Sequence, residues 1–307
     1  MRRRKKTGII LYLLSDYFSA LLAWVGVFLF RRTAIQGYKW TDDLYLEDPN
    51  LLAGAIFVPL FWLLLYFLTG TYGDIYRKSR LTELNNTFQA TLFGTVVLFF
   101  GLILDDVTGD DYRNYYRTFA IMFSLHFVLT FFGRWMILNR AKTLIEKGIA
   151  GYNTLVVGAN AKAVGLFKDI TGRKTALGYK FKGFITINGG GENALEAYLP
   201  RLGTLDSIAA IIEEHDIEEV IIAIETDEHN RIQSIMNSLA IENVVIKIIP
   251  GMYDILAGSV KMTHVIGAML IEIHPQLMPL WQRIIKRAID ITAAGLLLLM
   301  LSPVLLF

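Results

Sequence analysis

Thr154-Leu155-Val156-Val157-Gly158-Ala159-Asn160-Ala161-Lys162-Ala163 is an apolar run that stops on a glycine and opens into a helical stretch over 161–171. Branched residues favour a pleated, buried strand, and glycine permits the tight turn after it. Segments 183–187, 219–224 and 243–249 repeat the short apolar pattern, and Pro250-Gly251 stops the last of them. Helical stretches over 205–215 and 228–240 separate these runs. Strands alternating with helices predict a parallel sheet covered on both faces, with any ligand at the carboxyl ends of the strands.

Gly158, Asn160 and Ala163 occupy the three positions of a dinucleotide fingerprint, Gly-x-Gly-x-x-Gly. Alanine serves at the third position, whereas Asn160 is expected to obstruct the close approach of a pyrophosphate. Asn188-Gly189-Gly190-Gly191 stands where an acid would bind a ribose. The turn therefore reads as Rossmann-like but degenerate. Gly158 and Asn160 are the nucleotide-binding candidates, NAD is not expected, and a folded spacer or assembly domain is the alternative. Histidines 126, 215, 229, 264 and 274 are dispersed and there is no cysteine, so neither a metal site nor thiolate chemistry is predicted. A net charge of +2 offers no basic field for nucleic acid.

Upstream the pattern changes. The chain as a whole is 54% hydrophobic and 19% charged, which is little charge for a purely soluble domain. Segment 8–30 carries Asp16 as its only charge; 51–73 and 84–104 carry none; 118–139 is interrupted only by Arg134, which is expected to snorkel to the headgroups. Each reaches the roughly 20 apolar residues that cross a bilayer, so four transmembrane helices are predicted. The first is too long for a cleaved signal peptide and reads as an anchor.

Arg2, Arg3, Arg4, Lys5 and Lys6 precede the first span, Arg77, Lys78 and Arg80 lie between the second and third, and Arg140, Lys142 and Lys147 follow the fourth. The other two connections are acidic, with Asp42, Asp43, Glu47 and Asp48, then Asp105, Asp106, Asp110 and Asp111. The positive-inside rule predicts a multi-pass protein with its N-terminus and everything after residue 140 in the cytoplasm. Asp16 has two readings, an intramembrane functional acid or a shallow interfacial residue. Thr71-Tyr72-Gly73 echoes a potassium filter without implying a run of carbonyls. The paired outer-loop aspartates fit a solvated loop better than a divalent ion.

The chain ends with Trp281, Arg283, Lys286 and Arg287 on an amphipathic stretch, then the uncharged run Ile291–Phe307, broken by Ser302-Pro303. Basic residues beside a tryptophan suit an anionic membrane surface, and a proline bends the helix. Stopping within an apolar run suggests that the natural chain continues. Lys286-Arg287-x-x-Asp290…Ser302-Pro303 resembles the opening of the bacterial sugar transferase domain of polyprenyl-phosphate hexose-1-phosphate transferases. Tyr72-x-Asp74…Arg77-Lys78-Ser79-Arg80-x-x-Glu83-Leu84 resembles that family's segment after its second helix.

The resemblance implies three parts: a four-helix membrane bundle over 1–140, a cytoplasmic Rossmann-like α/β domain over 141–270, and the start of a re-entrant membrane helix over 271–307. It implies a place in the bacterial cytoplasmic membrane, with UDP-sugar, polyprenyl phosphate and the lipid bilayer as partners and a homo-oligomer as an option. The implied activity moves a sugar-1-phosphate from the UDP-sugar to polyprenyl phosphate, the first step of exopolysaccharide, capsule or O-antigen synthesis. An Asp-Glu pair and Mg²⁺ would carry it through a covalent intermediate. No residue here matches that pair, so no catalytic residue is named and this chain is expected to be inactive. Arg283, Lys286 and Arg287 would meet the membrane and the polyprenyl phosphate, with Ser302 and Pro303 as the kink. The alternatives are a membrane-bound nucleotide-sugar dehydratase or epimerase, and a non-catalytic nucleotide-sensing scaffold.

Overall fold

In the computed structural model of the protein, the described residues are 2–38, 48–103, 112–187, 194–224, 229–239, 242, 244–249 and 270–273, with 282, 286, 289, 290, 293 and 294. The chain forms two compact units, one of Arg2–Ala141 with Met278–Phe307 and one of Lys142–Leu277.

The first unit holds helices α1 (Arg2–Phe30), α2 (Pro49–Leu68), α3 (Arg80–Leu98) and α4 (Arg113–Glu146). Helix α2 starts sharply because Asp48 caps it: its carboxylate accepts the Asn50 N–H at 2.8 Å, and Pro49 opens the first turn, where its missing N–H costs nothing. Arg32, just past α1, pairs with the same Asp48 carboxylate. Among the described residues, three helical stretches are long and apolar enough to cross a membrane: Lys5–Ile35, Pro49–Leu68 and Arg113–Glu146. The protein is therefore membrane-associated.

The expected fourth span is corrected. Helix α3 forms, but it does not meet that test. Arg80, Glu83, Asn85, Asn86 and Gln89 fill its first turns, so its polar first half offsets the apolar second half. The aspartate pairs at 105–106 and 110–111 lie outside the described residues.

Arg134 does not snorkel. It is 1% exposed, and its Nε and one terminal nitrogen donate to the two Asp16 carboxylate oxygens at 2.9 and 2.8 Å. The other terminal nitrogen donates to Thr87 Oγ1 at 2.8 Å and to Glu83 at 3.3 Å. Tyr72 donates its hydroxyl to Asp16 at 3.0 Å, and Lys78 Nζ closes on Glu83 at 2.8 Å. The Arg134 guanidinium also lies 4.1 Å from the centre of the Tyr66 ring. Two carboxylates and two cations thus balance. Bidentate geometry offsets the desolvation that isolated charges would suffer there.

The second unit is a six-stranded sheet of order β3-β2-β1-β4-β5-β6. Its strands are β1 (Tyr152–Val157), β2 (Tyr179–Thr186), β3 (Arg201–Thr204), β4 (Glu219–Ile222), β5 (Val245–Ile248) and β6 (Ile271–Ile273). Helices α5 (Ala161–Thr171), α6 (Ile208–Glu214) and α7 (His229–Leu239) connect them. Leu155, Val157, Ile185, Val220, Ile222 and Ile246 bury one face against Ile211, Ile212, Ile235 and Leu239. Val156, Phe184 and Ala223 bury the other against Ala159, Ala163, Leu195 and Leu199. Period-2 strands packed on both faces read as continuous apolar runs, which is why β1 and β4 are legible in the sequence.

The expectation of a parallel sheet holds for β1 to β5, and β6 corrects it by pairing antiparallel with β5. Strands β3 and β6 were not foreseen, because both are short, partly exposed edge strands without an apolar run. β2 starts earlier than its apolar half, and the helix expected over 205–215 is a 3₁₀ turn (Leu205–Ser207) followed by α6.

Asp16→Ala would strand Arg134 in the core and is expected to cost about 3–5 kcal/mol, read as a lower thermal unfolding midpoint in detergent. Pairing Asp16→Leu with Arg134→Met should recover most of that loss. A single Asp16→Ala variant as stable as the wild type would refute the network's role.

Candidate nucleotide-binding site

The strand order reverses at β1: β2 and β3 lie on one side, β4 and β5 on the other. In open α/β sheets the crevice at such a reversal, outside the carboxyl ends of the strands, is where ligands bind. The β1–α5 turn sits at this edge. Gly158 donates its N–H to Ile185 O at 2.9 Å, and Ala223 donates to Val157 O at 2.9 Å, so the turn is fastened to strands on both sides.

Gly158 has φ of +107°, a conformation that side-chain-bearing residues rarely adopt. A Cβ there would also lie 2.5 Å from Ala223 O. Asn160 is the N-cap of α5, and its Oδ1 accepts the Ala163 N–H at 3.0 Å. Ala163, the third fingerprint position, is 1% exposed and lets α5 pack closely on Val156 and Phe184. The structure thus brings Gly158, Asn160 and Ala163 together in one turn.

Thr186, the last residue of β2, was missed by sequence reasoning. Its Oγ1 is buried without a hydrogen-bond partner. Burial of a polar group without compensation is costly, so the orphaned hydroxyl marks a position where a polar ligand would fit. The signal available in the sequence was a hydroxyl residue closing an otherwise apolar strand end.

A second polar cluster also escaped. Lys247 Nζ donates to Glu219 at 2.9 Å and to the Tyr179 hydroxyl at 3.1 Å, and Glu219 is 1% exposed. Glu219 and Tyr179 begin their strands, so they stand at the edge opposite Gly158. Burial works against the Lys247 ammonium, but Glu219 and Tyr179 outweigh it and hold its pKa above the ordinary lysine value.

Of the remaining expected site residues, Lys286 is helical and exposed. Arg283, Arg287, Ser302 and Pro303, and Asn188-Gly189-Gly190-Gly191 after β2, lie outside the described residues. Among the described residues, no group of three or more His, Asp or Glu side chains could hold a metal ion.

A family model described as a CoA-binding domain matches residues 67–250. The chain belongs to this CoA-binding domain family. An uncharacterized sugar transferase of Haemophilus influenzae is 25% identical over 169 residues, 54% of this chain and 35% of that protein. The chain thus spans about a third of the length of this curated relative. Among solved structures, UDP-D-quinovosamine 4-dehydrogenase from Vibrio fischeri is similar at 19% identity and a TM-score of 0.31, over 41% of this chain and 95% of that one. The structure of RSP in complex with β-NADH is similar at 15% identity and a TM-score of 0.28, over 56% and 90%.

Membership of the CoA-binding domain family corrects the expected polyprenyl-phosphate transferase. That expectation rested on two motifs: the matched range takes in the Tyr72…Leu84 segment and stops at residue 250, before the Lys286-Arg287…Ser302-Pro303 run. Sugar-1-phosphate transfer, exopolysaccharide synthesis, UDP-sugar with polyprenyl phosphate and bilayer lipid as partners, and a Mg²⁺-dependent missing part are withdrawn with it. The exclusion of NAD is corrected as well. The matched family is described as binding CoA, itself a nucleotide, and Asn160 turns its amide back onto its own helix, accepting the Ala163 N–H.

Gly158→Ala combines strain with a clash and is expected to destabilise the α/β unit by about 1–3 kcal/mol, measured by thermal unfolding. The raised Lys247 pKa gives a pH dependence of defined sign. Its stabilisation is complete below the unfolded lysine value of about 10.4 and is lost as pH rises through the higher folded value. Glu219→Gln should flatten that alkaline loss.

Proposed function

We propose that this chain is a membrane-anchored nucleotide-binding protein whose α/β unit takes CoA at the β1–α5 turn. The observation that carries the reading is the left-handed Gly158, fastened to Ile185 at the point where the strand order reverses. Gly158 would let the diphosphate approach the backbone. The N–H groups of Ala161 and Lys162 in the first turn of α5 would then meet its charge, with the helix dipole of the same sign. Asn160 holds that turn in shape by capping Ala163. When bound, CoA would supply a thiol carrier group. The role of this chain's residues is to bind and orient the nucleotide end.

A nucleotide-sugar dehydratase or epimerase using NAD(H) is the second reading. The observation favouring it is the parallel order β3-β2-β1-β4-β5, whose reversal also suits a dinucleotide. Isothermal titration of the detergent-solubilised chain with CoA, NADH and UDP separates the readings. Binding of CoA, lost in Gly158→Ala, is the expected outcome. Binding of NADH alone would favour the second reading, and silence with all three would overturn both.

For topology, the basic residues at 2–6 and at 77–80, two crossings apart, favour a cytoplasmic N-terminus and a cytoplasmic α2–α3 connection. Because the chain has no cysteine, single substitutions can report this directly. In intact cells Gln36→Cys should react with an impermeant thiol reagent and Ser79→Cys should not. The reverse pattern would invert the assignment.

A further inference from the structure

We infer that Thr186 reads the ribose of the bound nucleotide and favours a ribose that carries a phosphate. This rests on the nucleotide reading above and adds the chemical class of ligand. Thr186 stands level with Gly158, since the Gly158 N–H bonds to the carbonyl of Ile185 immediately before it. Side chains alternate along a strand. Ile185 joins the cluster on one face, whereas Phe184 packs with Val156, Ala159 and Ala163 on the face covered by α5. Thr186, two residues after Phe184, shares that second face. Its hydroxyl therefore lies beside the turn that would hold the diphosphate, and it is buried without a partner in a residue only 7% exposed.

The chemistry at that spot decides what it would accept. A carboxylate at the end of β2 accepts hydrogen bonds from a free ribose diol and repels a phosphorylated one. The described residues ending β1 and β2 are Gly158, Ala159, Asn160, Thr186 and Ile187, and none is acidic. A threonine hydroxyl donates to a phosphate oxygen without charge repulsion. Lys162, exposed in the first turn of α5, adds a cation where the helix end already carries partial positive charge. Together these suit an adenosine nucleotide with a phosphate monoester on its ribose.

The test is calorimetric titration of the full chain in detergent with CoA and with 3′-dephospho-CoA, for the wild type, Thr186→Val and Thr186→Ser. The wild type should prefer CoA. Thr186→Val should lose about tenfold in CoA affinity, as expected for one hydrogen bond to a charged group, and much of the preference with it. Thr186→Ser should retain both. Without ligand, Thr186→Val should unfold at the same temperature or higher, because it removes an unsatisfied hydroxyl at nearly constant shape. That readout separates lost binding from lost folding. Equal affinity of the wild type for the two ligands, or a Thr186→Val variant that binds CoA as the wild type does, would overturn the assignment and leave the nucleotide site standing. Failure of the wild type to bind either compound would remove the site itself.

Discussion

One guanidinium organises the helical unit. Arg134 on α4 binds Asp16 on α1, from which it is separated by 118 residues, and reaches Glu83 and Thr87 on α3. Each of these groups would be expensive to bury alone, and the four-charge cluster is tolerable only when every member is in place. The network therefore fixes helix register more stringently than apolar packing does, because a shift of one residue along any helix would uncouple a buried charge. Tyr72 and Lys78 extend the same constraint into the connection between α2 and α3. The surrounding Trp62 and His126 rings, stacked with centroids 3.8 Å apart, fill the space deeper along α2 and α4.

The α/β unit is governed by backbone geometry instead of charge. Gly158 must turn with positive φ, and Ala223 leaves no room for a side chain there. The turn is held from both sides by strand hydrogen bonds, so it is rigid before any ligand arrives. Preorganisation of this kind reduces the entropy lost on binding.

Much of this was legible in the sequence. The apolar runs of β1 and β4 and the long apolar helices could be read from local pattern, since both signals depend on neighbours within one element. Arg134 could not be. Hydropathy scores a lone arginine near a span end by its distance to water and cannot see an aspartate 118 residues away, so snorkelling was the natural but wrong reading. Strands β3 and β6 were hidden for a related reason: an edge strand buries little, and its pairing partner determines it. Asn160 reads in the sequence as a steric block, whereas in the fold its amide serves as a helix cap. The family expectation rests on two short motifs, over 72–84 and 286–303, whereas the matched family is defined over residues 67–250 as a whole.

The reversal of β6 has a topological consequence. Five strands run one way, and the chain enters the sheet at the start of β1, the edge opposite Gly158. Had the last strand been parallel, it would end at the edge that carries Gly158. Because β6 runs backwards, with Ile273 beside Ile246, the polypeptide leaves the sheet from the edge at which it came in. The sheet is thus wired as a cassette: its first strand begins and its last strand ends on one side, away from the edge that carries Gly158.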